Sequence, residues 1–200
     1  MTRSVIRGTL LLAVVAATSL LWGQTARDEV SNILKPPAGA RVALVIFEDL
    51  QCPDCARADP LMTQMSTRYK IPVLRYNFPL PMHTWANDAA VLAEYFETKS
   101  PELGVAFREY IFANQLKITR GNLRTMAEQF AQKNKTGLPF VLDPQGKLAE
   151  VVKQDRALGQ RVNVSYTPTI YVVTGKRATE VTDRTQLSRI IEQMQAEPGS

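Results

Sequence analysis

The chain has 200 residues, and 45% of them are apolar, which suffices for one ordinary domain with a packed core. It carries 24 Lys and Arg against 19 Asp and Glu, a net charge of +5. The basic residues are spread out without a dense run, which argues against a nucleic-acid-binding protein. The apolar content also argues against a disordered chain.

The N-terminal segment has the composition of a secretory signal. Arg3 and Arg7 stand in a short front without acids, an apolar stretch covers residues 9–22, and small residues follow. That stretch is shorter than the ~20 residues that a membrane-spanning helix needs. We therefore predict that residues 1–26 are a signal peptide of a periplasmic or otherwise exported protein. An uncleaved N-terminal membrane anchor is the alternative.

The next segments predict a strand, a helix and a second strand. Residues 41–47 are β-branched and apolar, which is typical of a strand buried on both faces. Pro53 favours the first position of a helix, because its missing N–H would have no partner there. This helix should run to about residue 69, with a kink or restart at Pro60. Residues 72–80 predict the second strand.

The middle of the chain predicts helices only. They cover residues 85–99 and then begin at Ser100-Pro101, at Asn122 and at Asp143-Pro144. On the last helix, the apolar residues Leu148, Val151, Val152 and Leu158 recur at helical spacing.

Strand patterns return near the C-terminus. Residues 163–173 contain a turn, a Thr-Pro and a β-branched run, residues 177–182 predict a short edge strand, and residues 184–195 predict a closing amphipathic helix. The sequence therefore predicts an α/β fold whose sheet is interrupted by a block of helices.

Cys52 and Cys55 are the only cysteines, and three roles can be weighed for them. A tetrahedral zinc site needs four ligands, and this pair with the single histidine, His83, falls short unless an unusual carboxylate or a dimer supplies the rest. A structural disulfide between residues this close would close a tiny loop and stabilise little. Redox chemistry has a physical basis, since the unpaired N–H groups and dipole of the helix start would favour a Cys52 thiolate. Cys55, one turn on, would resolve the mixed disulfide and should be more buried and less reactive.

Thr167-Pro168 precedes a predicted strand and is a candidate for a cis peptide bond. Beside a reactive thiol, a cis proline would expose the backbone of Thr167, and a substrate chain could pair with it as an added strand. The alternative is an ordinary trans proline that opens a strand.

These motifs together resemble the thioredoxin superfamily, and within it the DsbA-like thiol-disulfide oxidoreductases. The resemblance spans roughly residues 41–195 and is carried by VIFEDLQCPDC, Pro60, FPLPMHTWANDAA and VSYTPTIYVV. It implies a thioredoxin fold with a helical insertion domain between the second strand and the cis-Pro strand. Residues 27–82 and 163–200 would form the thioredoxin-like domain, and residues 83–162 the insertion.

The resemblance also implies roles. Cys52 would be the exposed nucleophile, Cys55 its partner and Pro168 the cis proline that faces them. Pro53, Asp54 and Thr167 would shape the site and bind substrate. The redox-active disulfide would serve in place of a cofactor, with no metal. The partners would be protein thiols or disulfides, with a quinone-linked membrane protein that recharges oxidising members.

Two positions depart from the family pattern. Relatives often carry a buried acid six residues before the first cysteine, where this chain has Ile46. Glu48 and Asp49 are close, but strand alternation does not establish that either points beneath Cys55. Asp54 stands where strongly oxidising relatives have histidine, and its carboxylate should raise the pKa of a neighbouring thiol. We therefore predict a less oxidising couple than the strongest members, unless Asp54 merely complements the helix dipole.

The aromatic residues near these motifs have simpler interpretations. For His83 we favour a packing or capping role, and Trp85 and Tyr166 either border the groove or belong to the core. We favour an oxidase over a reductase. A non-enzymatic thioredoxin-fold binding module or chaperone is one alternative. A membrane-anchored reductase for one dedicated partner, such as a cytochrome maturation or metal-delivery protein, is the other.

Overall fold

The computed structural model describes residues 29–198, so the predicted signal segment lies outside the described residues. Within 29–198, no helix combines the length and the hydropathy that crossing a membrane requires. Helical residues 29–33 come first. The strands are β1 (Val42–Glu48), β2 (Val73–Asn77), β3 (Thr169–Thr174) and β4 (Ala178–Glu180). The helices are α1 (Pro53–Tyr69), α2 (Ala86–Glu97), α3 (Pro101–Asn114), α4 (Leu123–Lys133), α5 (Lys147–Arg161) and α6 (Leu187–Ala196).

The strands form one mixed sheet in the order β2-β1-β3-β4. β1 is parallel to β2 and antiparallel to β3, with Phe47 opposite Tyr76 on one side and Thr169 on the other. All seven residues of β1 are buried, as its continuous apolar run predicts. The helices α2 to α5 all lie between β2 and β3 in the chain, which confirms the predicted thioredoxin fold with a helical insertion.

Alternation along β1 divides the core into two clusters. Ile46 packs with residues of α1 and α6, such as Met62 and Ile191. Phe47 packs on the opposite face with Phe78 and other residues near α5. Gly159 allows α5 to lie close to the sheet there, because an added Cβ would meet the Phe78 ring at 2.6 Å.

The insertion has an aromatic core of its own. The rings of Phe96 and Phe107 are 4.6 Å apart, and Phe130 contacts both. Cys52 and Cys55 belong to this same cluster. The two sulfurs therefore lie where the sheet domain meets the helical insertion.

Several details of the structure differ from the expected ones. The last helix of the insertion begins at Lys147 and not at Asp143-Pro144, because Gly146 has φ 68° and the Asp143 carboxylate accepts from the backbone N–H of Ala149. Val151 is exposed, since its face of α5 points to solvent. Of the kink or restart expected at Pro60, the restart does not occur, because Pro60 is an exposed residue inside a continuous α1.

Candidate active site

The first cysteine occupies the N-cap of α1, with Pro53 as the first helical residue. Both cysteines are reduced, and their exposed fractions are 7% for Cys52 and 1% for Cys55. The expectation of an exposed Cys52 was therefore wrong. Its sulfur packs against the core of the insertion, although it remains the more accessible of the two.

The two sulfurs have opposite acidities. The pKa of Cys52 is lowered to about 5, chiefly by a hydrogen bond from the Cys55 side chain, against the opposing effect of burial. The Thr167 side chain and the backbone N–H groups of Cys55 and Asp54 lower this pKa further. Burial and the hydrogen bond to Cys52 raise the pKa of Cys55 far above its ordinary value. At neutral pH, Cys52 is therefore a thiolate that accepts a hydrogen bond from the buried Cys55 thiol.

The Thr167-Pro168 peptide bond is cis, as the sequence pattern suggested. Cys52 Sγ and the Thr167 carbonyl oxygen are 3.3 Å apart, so this loop lies directly against the first sulfur. The Thr167 hydroxyl is buried, and within residues 29–198 it has no hydrogen-bond partner. It is therefore free to interact with the Cys52 sulfur, whose pKa it lowers.

Asp49 organises the loop between β1 and the cysteines. Its carboxylate accepts from the backbone N–H groups of Gln51 and Leu80 and contacts His83 Nδ1, each at 2.7 Å. Its own backbone N–H donates to Cys55 Sγ at 3.4 Å. His83 thus holds the loop through Asp49, a pairing that the sequence analysis missed.

A buried acid does lie beneath the cysteines, but it is Glu48 and not a residue at position 46. Glu48 is 2% exposed, and its carboxylate bonds Arg75 at 2.8 Å and Arg108 at 3.4 Å. Arg75 also bonds Asp59 at 2.7 Å, and burial raises the pKa of that acid. The charge of Glu48 contributes to the raised pKa of Cys55, so the acid acts on the second sulfur.

Sequence reasoning also missed both arginines. Arg75 lies in a predicted strand and Arg108 among the apolar residues of a predicted helix. Arg108 is 1% exposed and additionally bonds Asn77 at 2.8 Å and Glu94 at 2.9 Å. The available signal was Arg108 itself, an arginine on an apolar helix face. A buried arginine almost always has charged or polar partners, so it indicates buried acids nearby.

The insertion holds the active-site loop directly. The Gln115 side-chain amide donates to the carbonyl oxygens of Leu50 at 2.9 Å and Cys52 at 3.1 Å. The Trp85 backbone N–H donates to the Gln51 side chain at 2.8 Å. Trp85 itself is buried, in agreement with a core role. Within the described part of the chain, no group of three His, Cys, Asp or Glu side chains is placed to hold a metal ion.

Comparison with known proteins agrees with this geometry. A family model described as thioredoxin matches residues 37–193. The chain belongs to the thioredoxin family. Comparison with curated proteins gave no significant match.

Solved structures with the same fold include thioredoxin-like, ScsC and DsbA proteins from bacteria. A periplasmic thioredoxin-like protein from Salmonella enterica serovar Typhimurium is 21% identical, with a TM-score of 0.64 over 82% of this chain and 89% of that one. A linker-deleted ScsC variant from Proteus mirabilis is 17% identical, with a TM-score of 0.69 over 98% of each chain. DsbA2 from Pseudomonas aeruginosa is 18% identical, with a TM-score of 0.59 over 83% of this chain and 95% of that one. This thioredoxin-family chain therefore shares the fold of these proteins, and its own Cys52 and Cys55 lie at the start of α1.

Proposed function

We propose that this protein is an exported thiol-disulfide oxidoreductase that oxidises client protein thiols through Cys52 and Cys55. The opposite acidities of the two adjacent sulfurs carry the proposal. A thiolate whose pKa is about 5 is an excellent leaving group, and its stabilisation favours the reduced form of the pair. A couple with a stabilised reduced form accepts electrons from client thiols, which favours the oxidase direction.

The exchange has two steps. A client thiolate attacks the Cys52 sulfur of the Cys52–Cys55 disulfide, the S–S bond breaks, and Cys55 leaves and takes up a proton. A second client thiolate then attacks the client sulfur of the mixed disulfide, so a client disulfide forms and Cys52 leaves as a thiolate. The protein gains two electrons and one proton, and the other client proton goes to solvent because Cys52 stays ionised near neutral pH.

The site supports protein clients for two reasons. The cis-Pro loop presents the Thr167 backbone beside the first sulfur, where an extended client chain can pair with it. Large apolar side chains are exposed in segments adjoining the site, namely Met82 at 69%, Leu116 at 100% and Tyr166 at 49%. A quinone-linked membrane protein is our proposed oxidant for restoring the disulfide. Export is supported by the signal-like segment 1–26 and by the periplasmic Salmonella neighbour.

The decisive experiment measures exchange in both directions. The wild-type protein is equilibrated with reduced and oxidised glutathione, and the oxidised protein is mixed with a reduced, unfolded model protein. We expect the oxidised protein to transfer its disulfide, Cys52→Ser to abolish transfer, and Cys55→Ser to accumulate a mixed disulfide on Cys52 that mass spectrometry detects. Absence of any exchange by the wild-type protein would refute the proposal, and an equilibrium that favours client reduction would reverse its direction.

The exposed apolar residues also favour a second candidate, a client-binding module without catalysis. This candidate predicts that a protein with both cysteines replaced by serine still suppresses aggregation of an unfolded client as well as wild type does. A protein that binds but never exchanges would be such a module. The membrane-anchored reductase depends on residues 1–26, which lie outside the described structure.

A further inference from the structure

The carboxylate between the two cysteines is held by two arginines. Arg184 Nη2 lies 2.8 Å from Asp54 Oδ1, and Arg57 Nη2 lies 3.2 Å from the same oxygen. These hydrogen bonds and charges lower the pKa of Asp54, with the Arg184 hydrogen bond as the largest cause. The Asp54 side chain therefore carries a full negative charge at neutral pH, but the nearest groups to that charge are cations.

Arg184 is the better placed of the two arginines. It begins a short 3₁₀ turn, Arg184–Gln186, whose preceding Asp183 side chain accepts from the Thr185 backbone N–H. The Arg184 side chain is 37% exposed, against 68% for Arg57. Its position is therefore better defined, and solvent screens its charge less. The turn lies just before α6, so a residue distant in sequence reaches the dipeptide between the cysteines.

This pairing bears on the first sulfur because Asp54 lies two residues after Cys52, in the first turn of α1. The Asp54 backbone N–H is among the groups that lower the pKa of Cys52, which places Asp54 in the electrostatic surroundings of the thiolate. A carboxylate in this position opposes a nearby thiolate, whereas a carboxylate paired with a guanidinium does so much less. Glu48 and the Asp49–His83 pair are further ionisable groups near the cysteines, and the charge of Glu48 acts on Cys55.

We propose that Arg184 is a positioning residue that sets the redox poise of the Cys52–Cys55 couple by neutralising Asp54. The inference rests on the proposed function, because poise matters only for a pair that exchanges. It also changes the expectation from sequence. Asp54 makes the couple less oxidising only to the extent that the arginines leave its charge uncompensated.

The first test replaces Arg184 with glutamine. In R184Q we expect the pKa of Cys52, followed by the ultraviolet absorbance of the thiolate, to rise by about half a pH unit. At neutral pH this rise destabilises the reduced form, so the glutathione equilibrium should shift about threefold toward a more reducing couple, or ~14 mV. R184K keeps the charge and should retain the wild-type values, and 1 M salt should shrink the difference between R184Q and wild type.

A double-mutant cycle separates action through Asp54 from direct action on the thiolate. In the D54N background, adding R184Q should change the Cys52 pKa by less than half of its effect in the wild-type background. R189Q removes an equally positive, exposed side chain from α6 and should change nothing. An unchanged Cys52 pKa in R184Q, or an equal change in both backgrounds, would overturn the inference.

The outcome also distinguishes this inference from the proposed function. If wild type exchanges disulfides and R184Q has the wild-type pKa and equilibrium, Arg184 has no role in poise and the proposed function stands. If wild type never exchanges disulfides, the proposed function fails regardless of the pKa measured in R184Q.

Discussion

Two regions lie on the same side of β1 but are stabilised differently. Ile46 belongs to an apolar region with Met62 of α1 and Ile191 of α6. Glu48, two residues further along the same side of the strand, belongs to a charged region next to the cysteines. We define this charged region by its buried and half-buried members Glu48, Asp59, Arg75, Glu94 and Arg108.

The difference teaches where chemistry is placed in this fold. Apolar burial is non-directional, so many residues of suitable size would fill the first region. The charged region needs each guanidinium opposite its carboxylates, because an unpaired buried charge costs several kcal/mol. That region can influence a thiol by its electric field, which the apolar region cannot do.

The largest expected effect is on stability and comes from Arg108→Met. This change leaves Glu48, Glu94 and Asn77 buried without their common partner, and we expect a loss of about 3–5 kcal/mol in urea unfolding. Arg124→Met is the matched control, since the Arg124–Glu128 pair is exposed and should contribute at most ~0.5 kcal/mol. Equal losses in the two variants would show that the charged region is not electrostatically distinct.

A smaller loss is expected in the apolar region. Ile191→Ala removes a fully buried side chain and should cost about 3 kcal/mol of unfolding free energy. Because no ionisable group is involved, the loss should be the same at pH 5 and pH 8. A pH-dependent loss would mean that the apolar and charged regions are coupled.

A pH dependence should appear at the first sulfur. The folded pKa of Cys52 is about 5, below the unfolded value, so its thiolate stabilises the reduced protein fully above the unfolded pKa and progressively less as pH falls towards 5. We expect the reduced wild type to gain about 2 kcal/mol over Cys52→Ser between pH 5 and pH 7 in urea unfolding. A constant difference across this range would contradict the lowered pKa.

The smallest expected effect comes from Thr167→Val, where the cis-Pro loop meets the thiolate. The change removes a hydroxyl that helps lower the Cys52 pKa but retains a similar shape. We expect that pKa to rise by a few tenths of a unit, and the glutathione equilibrium to shift about twofold towards the reducing side. Thr169→Val is the control, because the Thr169 hydroxyl donates to the Tyr166 carbonyl. An equal shift in both variants would argue against a specific effect of Thr167.

The sequence by itself determined most of the local elements and pointed to the pair that we propose as redox-active. A continuous apolar run can only be a buried strand or helix segment. Pro53 favours a helix start, and the C-x-x-C motif there places one thiol at the positive end of the helix dipole. The ends of elements were less predictable, as the late start of α5 shows. There Gly146 adopts a positive φ, and the Asp143 carboxylate accepts a hydrogen bond from the Ala149 backbone N–H.

Only the tertiary structure decided the surroundings of the two sulfurs. Glu48 lies beneath Cys55 because Arg75 and Arg108, from β2 and α3, meet there, and Asp54 faces Arg184 because the turn before α6 folds back to the start of α1. Hydrophobic periodicity is a property of neighbours along the chain. Pairing between charges depends on distances between remote segments, and those distances exist only after folding.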